Sequence, residues 1–133
     1  MSASAPAPIA VTPLDHRSTS DRLRFIRVAG RVYRNDPNWV APLHSEIHQV
    51  LGPANPFHQH ADLQLWVAAR NGTDVGRIVA IVDRTHNSQH SERTAFFGFF
   101  ECLPDPEAAA ALFSTVMNWA RARQLDRLRG PLN

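Results

Sequence analysis

The stretch that decides the fold is T-A-F-F-G-F-F-E-C, Thr94–Cys102, which continues through L-P-D-P, Leu103–Pro106, into a helical pattern. A run that is apolar on both faces predicts a strand buried between two layers. Asp105 is a good N-cap, and proline is favoured at the first helical position that follows. The pattern therefore predicts a strand followed by an amphipathic helix that ends near Gln124.

A second short extended segment, Leu128–Leu132, follows this helix, and the printed sequence ends in G-P-L-N, Gly130–Asn133. A strand, a helix and a second strand in one sheet make a right-handed crossover, so Leu128–Leu132 is expected to lie parallel to Thr94–Cys102. Such units bind ligands at the carboxyl ends of their strands. The ligand site is therefore expected at Glu101–Glu107.

Two further strands are predicted upstream and make an antiparallel meander with Thr94–Cys102. Apolar residues alternate over Leu63–Arg70, and Val75–Asp83 is apolar on both faces. The Asn-Gly pair between them is a strong hairpin signal. The polar segment Thr85–Arg93 is expected to be a loop.

The first part of the chain divides at about residue 20. Residues 1–19 are expected to be a flexible lead with a short strand over Ile9–Leu14. Ser20 is a suitable N-cap for a helix over Asp21–Arg34, in which Phe25 and Val28 begin the apolar face. A short helix is predicted around Leu43–Leu51.

The composition is that of a globular domain, with 44% hydrophobic and 20% charged residues and a formal net charge of +2. All basic residues other than histidine are arginine, but so small an excess of charge does not indicate nucleic-acid binding. The single cysteine, Cys102, excludes an intramolecular disulfide and suits a reducing compartment. No apolar stretch is long enough to span a bilayer and no signal peptide is evident. We therefore expect a cytoplasmic protein without a membrane partner.

Several segments together resemble one uncharacterised bacterial branch of the GNAT superfamily of acyl-CoA-dependent N-acyltransferases. The segments are D-P-N-W-V-A-P-L (36–43), N-P-F (55–57), H-A (60–61), V-G-R-I (75–78), F-F-G-F-F-E (96–101) and G-P-L-N (130–133). The resemblance implies an α/β fold with a GNAT-like mixed sheet, an antiparallel meander plus one parallel strand, flanked by helices. Members of that branch are longer, so residues 20–133 are expected to be the N-terminal part of a GNAT-like domain, truncated at the C-terminus.

The resemblance also implies a function, acyl transfer from acetyl-CoA or another acyl-CoA to a small-molecule amine. In such enzymes the strand before the long helix contacts the pantetheine arm through its backbone, which corresponds here to Phe100, Glu101, Cys102 and Leu103. Asn133 is a further candidate contact through its side chain. Glu101 lies where some family members keep a general base, although an ordinary structural charge is the simpler interpretation of this residue.

The loop that holds the pyrophosphate in active family members differs here from the family form, a glycine-rich Gln/Arg-x-x-Gly-x-Gly/Ala segment. Residues 101–108, E-C-L-P-D-P-E-A, contain no glycine, two prolines and three carboxylates. Proline lacks the N–H that would bind an anion at a helix N-terminus, and carboxylates repel phosphate. This difference favours a second hypothesis, a non-catalytic half-domain that pairs with a second GNAT-like half, or with another copy as a homodimer.

Other candidate sites have simpler explanations. Histidine pairs at 44/48, 58/60 and 86/90 have spacings that occur in metal sites, but no carboxylate or thiolate completes a ligand set, and no metal is expected. A stripe of arginines on the first helix suggests a third, weaker hypothesis of anion or nucleic-acid binding, against a solvated helix face; its members are Arg24, Arg27, Arg31 and Arg34. The four phenylalanines of 96–100 fit either core packing or an acyl channel.

Overall fold

The computed structural model describes residues 7–132. Its elements follow one another along the chain with short connections. They are β1 (Ile9–Leu14), α1 (Thr19–Val32), α2 (His44–Leu51), a 3₁₀ turn (Pro56–Gln59), β2 (Ala61–Arg70), β3 (Thr73–Asp83), α3 (Arg84–His90), β4 (Thr94–Cys102), α4 (Pro106–Ala122) and β5 (Arg127–Leu132).

The strands form one five-stranded sheet in the order β1-β2-β3-β4-β5. β1 to β4 pair antiparallel, and β5 runs parallel to β4, with Thr94 opposite Arg127 and Ala95 opposite Leu128. The predicted α/β fold, a meander extended by one parallel strand, is therefore confirmed. The strand expected within residues 1–19 is present as β1; residues 1–6 of the expected flexible lead lie outside the described residues.

Each face of the sheet is covered by helices over its own apolar core. α1 and α2 cover one face, with Phe25, Leu51 and Leu65 fully buried beneath them. α4 covers the other face through Leu112 and Val116, which are also fully buried. The strands between the two layers need apolar residues on both faces, which explains the double-sided pattern of β3 and β4.

Local signals position most of the turns and helix ends. Asn71 and Gly72 both have positive φ values, 53° and 76°, as a two-residue hairpin turn requires. Asp105 caps α4 as predicted, since its side chain accepts the N–H of Ala108. The N-cap of α1 was predicted at Ser20, which is wrong: Ser18 accepts the N–H of Asp21, so the helix begins two residues earlier.

The segment predicted as a polar loop, Thr85–Arg93, is also different in the structure. Residues Arg84–His90 form α3, which Asp83 caps by accepting the N–H groups of Thr85 and His86. This helix has no buried residue, so its sequence lacks the apolar periodicity from which a helix is predicted. Within residues 7–132, no helix has the length and hydrophobicity that crossing a membrane requires.

Candidate functional site

A β-bulge in the middle of β4 shapes the end of the strand at which the ligand site was expected. Val79 of β3 pairs with Gly98, but Arg77 pairs with Glu101, so two residues of β4 oppose Ile78 alone. Phe99 lies in the bulge with a φ of 50°, in the left-handed region. The extra residue reverses the alternation of side chains along the strand.

The bulge sends the phenylalanines of β4 to both faces of the sheet. Phe97 and Phe100 pack against the core beneath α4, whereas Phe99 packs against the core beneath α1 and meets Phe25 edge-on at 6.2 Å. Core packing, the simpler of the two predicted roles, therefore describes these contacts. Beyond the bulge, Glu101 projects on the α1 side of the sheet, where it meets Tyr33.

The two parallel strands approach closely at Gly98, just before the bulge. Gly98 lies opposite Leu132, and a Cβ placed on Gly98 would collide with the carbonyl of Leu132. Glycine is thus required for the close approach of the two strands.

Glu101 is held by the C-terminal end of α1. The hydroxyl of Tyr33 donates to Glu101 Oε2 at 2.6 Å, and this hydrogen bond raises the pKa of the Tyr33 phenol. The ring of Trp39 stacks on Tyr33 with 5.0 Å between centroids. The loop between α1 and α2 is thereby attached to the end of β4.

Arg77 is a charged residue inside the core, with 4% of its surface exposed. Its Nε donates to the carbonyl of Phe99 at 3.0 Å, and its Nη1 donates to the carbonyl of Phe25 at 3.1 Å. The guanidinium also lies over the Phe25 ring, 4.8 Å from its centroid. Burial lowers the pKa of Arg77 to about 10, against the opposing effect of the Glu101 charge, so Arg77 remains protonated at neutral pH.

Arg77 therefore connects three parts of the site: the bulge, helix α1 and, through its charge, Glu101. Sequence reasoning did not identify Arg77 or Tyr33 as site residues. One signal was available for Arg77, because it is the only charge within the apolar run from Val75 to Val82. Tyr33 gave no such signal, since its position on the helix fits an ordinary core residue.

The N-terminus of α4 is occupied by the protein's own side chains. Asp105 caps the helix, and Arg70 contacts its two carboxylate oxygens at 3.1 Å each. Arg70 also reaches Glu107 at 3.2 Å. The hydrogen bond from Arg70 holds the pKa of Asp105 below its usual value. An incoming phosphate would meet these two carboxylates, so this helix end does not fit a pyrophosphate group.

The remaining residues predicted to contact the pantetheine arm differ in the groups that they leave available for a ligand. The N–H of Leu103 donates to the carbonyl of Val75 at 2.9 Å, so this donor is already used. Cys102 is half-buried, and burial raises the pKa of its thiol. Asn133, the last candidate, lies outside the described residues.

An apolar groove of about 280 Å³ begins at the bulge, on the α1 and α2 side of the sheet. Phe99 forms one end, and the floor consists of β2 and β3 residues. The 3₁₀ turn and the C-terminal end of α2 form the wall. The lining residues are Val50, Leu51, Asn55, Phe57, Leu63, Val79, Ile81 and Phe99. The groove offers an apolar ligand a place next to the strand end that carries Glu101.

The predicted histidine pairs are engaged in separate contacts. Nδ1 of His48 accepts from Arg22 at 2.9 Å, His60 contacts Asp83 at 3.0 Å, and His86 contacts Glu92 at 2.8 Å. Within residues 7–132 no group of three or more potential metal ligands comes together. In the arginine stripe of α1, Arg24 forms a two-point ion pair with Asp74 at 2.9 and 3.0 Å.

Comparison with curated proteins identifies two relatives. The chain is 34% identical over 114 residues to Protein YghO of Escherichia coli (strain K12), which covers 86% of the chain and 29% of that protein. It is 36% identical over 129 residues to the bacterial ceramide synthase of Caulobacter vibrioides (strain NA1000 / CB15N), which covers 96% of the chain and 33% of that protein. The chain thus spans about a third of the length of these relatives, in their N-terminal portion. No family model matches the sequence.

Solved structures show the same fold at low sequence identity. An aminoglycoside acetyltransferase from an uncultured soil metagenomic sample has a TM-score of 0.64 at 12% identity, over 94% of this chain and 78% of that one. A tandem GNAT protein of the clavulanic acid pathway has a TM-score of 0.66 at 17% identity, over 88% and 34%. The aminoglycoside N-acetyltransferase AAC(6')-Iy in complex with CoA has a TM-score of 0.63 at 10% identity, over 98% and 81%. The chain has the GNAT fold.

Proposed function

We propose that this chain supplies the acyl-donor side of an acyl-CoA-dependent N-acyltransferase, in which the C-terminal end of β4 holds the acyl-pantetheine arm. The observation that carries the proposal is the bulge at Phe99, which places Glu101, held by Tyr33, at the strand end beside an apolar groove. The relative named bacterial ceramide synthase is an N-acyltransferase, which supports the same chemistry.

In the proposed reaction the amine nitrogen attacks the thioester carbonyl directly. A C–N bond forms, the C–S bond breaks, and the amine loses one proton. Glu101 is the proposed acceptor of that proton, and CoA leaves as the thiolate. The proton then passes from Glu101, through solvent, to the sulfur, which gives the free thiol and restores the carboxylate. Tyr33 donates to Oε2 of Glu101 and so fixes the carboxylate, and Oε1 is the oxygen proposed to take the proton. Holding the base in one orientation is a recognised contribution to general base catalysis.

The apolar groove supports a donor with a longer acyl chain than acetyl. A chain that leaves the thioester at the bulge would pass Phe99 and lie against Leu63 and Ile81, both partly buried apolar residues. Burying methylene groups there would favour binding by about 0.8 kcal/mol for each CH₂. Affinity should therefore increase with chain length.

The phosphates of CoA are not part of this proposal, because the N-terminus of α4 does not fit them. Asp105 and Glu107 lie there with Arg70 between them. S-octanoyl-pantetheine, which lacks the nucleotide and its phosphates, is therefore expected to bind the chain about as well as octanoyl-CoA. A large preference for octanoyl-CoA would show that phosphate binds at this helix end or at a basic site elsewhere on the chain.

Calorimetry with S-octanoyl-pantetheine and S-acetyl-pantetheine tests the proposal. We expect measurable binding of the octanoyl compound, and weaker binding of the acetyl compound. Val50→Trp, at the exposed rim of the groove, should weaken octanoyl binding, whereas Met117→Trp, at another exposed position, on α4, should not. No binding of either thioester at millimolar concentration would contradict the proposal.

A second candidate function is a non-catalytic half-domain that packs against a second GNAT-like half. The capped N-terminus of α4 favours it, since that helix end is the phosphate site in the implied family mechanism. The tandem GNAT neighbour is an example of two such units in one protein. Under this alternative the thioesters do not bind, and Glu101→Gln changes stability but no ligand affinity.

A further inference from the structure

The exposed hydrophobic side chains of this protein are concentrated in one short segment. Of the five large ones exposed within residues 7–132, three lie between residues 40 and 50, and Val40 is 85% and Leu43 64% exposed. Both belong to the connection between α1 and α2, where most of their surface is exposed to solvent. Clustered exposed apolar residues bordered by polar ones mark an interaction surface.

Three arginines lie beside this segment, two on α1 and one directly after it. Arg27 and Arg31 are four residues apart, which places them on one side of the helix, and Arg34 lies in the turn that follows the C-cap residue Tyr33. All three are exposed, and none of their side chains makes an ion pair or hydrogen bond recorded within the described residues. Arg27 and Trp39 line the same small cleft between α1 and the connection, so the arginine stripe and the exposed apolar residues adjoin.

We propose that this basic–apolar surface, formed by Arg27, Arg31, Arg34, Val40 and Leu43, docks on a bilayer that carries anionic phospholipids. Peripheral membrane surfaces combine apolar side chains that enter the headgroup region with cations that meet the phosphates. The unpaired arginines supply the cations, and Val40 and Leu43 supply the apolar side chains. Docking of this kind needs no membrane-spanning helix.

Two acidic residues reduce the net positive charge near this surface and so limit the strength of membrane binding that we expect. Asp36 accepts the backbone N–H of Asn38 at 2.9 Å, and Glu46 lies in the first turn of α2. Electrostatic attraction alone is therefore modest, and the proposal requires the apolar side chains as well as the arginines. This requirement separates a bilayer from a nucleic acid, which would need the arginines alone.

The surface lies at the same end of the molecule as the candidate site. Trp39, next to Val40, stacks on Tyr33, whose hydroxyl binds Glu101. A bilayer against this surface would bring its lipids near the end of β4. The inference does not rest on the proposed acyl transfer, because vesicle binding is measured without any thioester.

Co-sedimentation of the 133-residue chain with vesicles tests the proposal. We expect binding to vesicles of equal parts phosphatidylglycerol and phosphatidylcholine, much weaker binding to phosphatidylcholine alone, and release by salt. Arg31→Gln should weaken the partition about fivefold, since each cation near an anionic surface contributes by about that factor. Val40→Ser combined with Leu43→Ser should weaken it about tenfold or more, because apolar surface would no longer be buried.

Matched variants on the opposite face of the sheet serve as controls. Arg121→Gln and Met117→Ser, both at exposed positions of α4, should leave the partition unchanged. The proposal is overturned if the chain does not bind the anionic vesicles, or if the control variants weaken binding as much as the surface variants. Binding to DNA that persists in the Val40→Ser, Leu43→Ser variant, without vesicle binding, would assign the surface to a nucleic acid instead. An oligomer that dissociates in that variant, again without vesicle binding, would assign it to a protein contact.

Discussion

The two ends of β4 belong to one strand but are built in opposite ways. At its N-terminal end, Thr94 and Ala95 are fully buried, and Glu92 just before them binds Arg127 at 2.8 Å and Arg129 at 3.3 Å. At its C-terminal end, beyond the bulge, the side chains of Phe100–Cys102 are half-buried and Glu101 is held by Tyr33. We call the first the closed end, because ion pairs connect it to β5, and the second the open end, because its side chains are partly exposed.

This difference shows how one strand can serve both stability and binding. The closed end fixes β5 beside β4, and the bulge between the two ends changes which side chains face α1. The open end then carries Glu101, which is held by Tyr33 of α1 and lies opposite Arg77 of β3. Changes at the bulge and at the open end should therefore act differently from changes at the closed end.

The largest effect is expected at the point where the two ends meet. Gly98→Ala places a methyl group against the carbonyl of Leu132, so β5 must move away or the bulge must shift. We expect a loss of about 3 kcal/mol in the free energy of unfolding, at the upper end for overpacking. Urea denaturation measures it.

Gly30→Ala is the matched control, because nothing lies within 4 Å of the added methyl group on α1. It should stabilise the protein by up to about 1 kcal/mol, as alanine does in a helix interior. Equal stability of the two variants would mean that β4 and β5 do not approach closely at Gly98.

The second-largest effect on stability is expected at Arg77, the buried cation next to the open end. Arg77→Met removes the hydrogen bonds that the guanidinium donates to the carbonyls of Phe99 and Phe25. We expect a loss of about 2 kcal/mol, in the range for hydrogen bonds made by a charged group. Arg121→Met, at an exposed position of α4, should stay within about 0.5 kcal/mol of the wild type. A more stable Arg77→Met variant would show that the desolvation of this charge outweighs its hydrogen bonds.

Each end of β4 has a glutamate that can be replaced by glutamine, and the ionisation of Tyr33 distinguishes the two variants. Tyr33 is the only tyrosine in the chain, so ultraviolet absorbance at alkaline pH reports its ionisation alone. Glu101→Gln should lower the pKa of Tyr33, because the hydrogen bond to the Glu101 carboxylate raises it. Glu92→Gln, at the closed end, should leave it unchanged. The same shift in both variants would contradict the contact between Tyr33 and Glu101.

The pH dependence of stability follows from the same hydrogen bond. The pKa of Tyr33 is raised in the folded state, so its contribution is complete below the unfolded pKa, about 10. That contribution is lost as the pH rises through the higher folded pKa. Unfolding measured across this window should show a smaller alkaline loss of stability in Glu101→Gln than in Glu92→Gln.

The smallest effect is expected from the exposed ion pairs of the closed end. Arg93 contacts Asp126 at 2.9 Å, with 68% and 53% of the two side chains exposed. Arg93→Gln should therefore cost less than about 1 kcal/mol, and less still at high salt. A loss as large as that of Arg77→Met would mean that this pair, rather than burial, holds the closed end.

The sequence predicts the fold well where its signals are local. The apolar run of β4, the N-cap of α4 and the Asn-Gly turn each act within a few residues, and all three were located correctly. α3 was missed because its seven residues have no apolar face to form a periodic pattern. Ser18 and Ser20 are both suitable N-caps for α1, and the sequence alone does not show that the helix begins after Ser18.

The candidate site was predictable only in part. Glu101 could be placed at a strand end, but its contact with Tyr33 joins residues 68 positions apart. Arg77 reaches Phe25 across 52 positions and Phe99 across 22. The glycine at position 98 hinted at an irregular strand, yet no residue type specifies which neighbour adopts the left-handed conformation. Contacts of this kind depend on how helix and sheet pack, which local patterns do not encode.

An acyl-thioester arm at the open end of β4 would change the surroundings of the backbone at the bulge and in the groove. Amide chemical shifts in a ¹H–¹⁵N spectrum, recorded during titration with S-octanoyl-pantetheine, measure such changes residue by residue. We expect saturable changes at Phe99–Cys102 and at the groove residues Leu63 and Ile81, with little change at Thr94, at Ala95 and on α4. Changes confined to Thr94, Ala95 or α4, or no change at saturating thioester, would show that the arm does not bind at the open end.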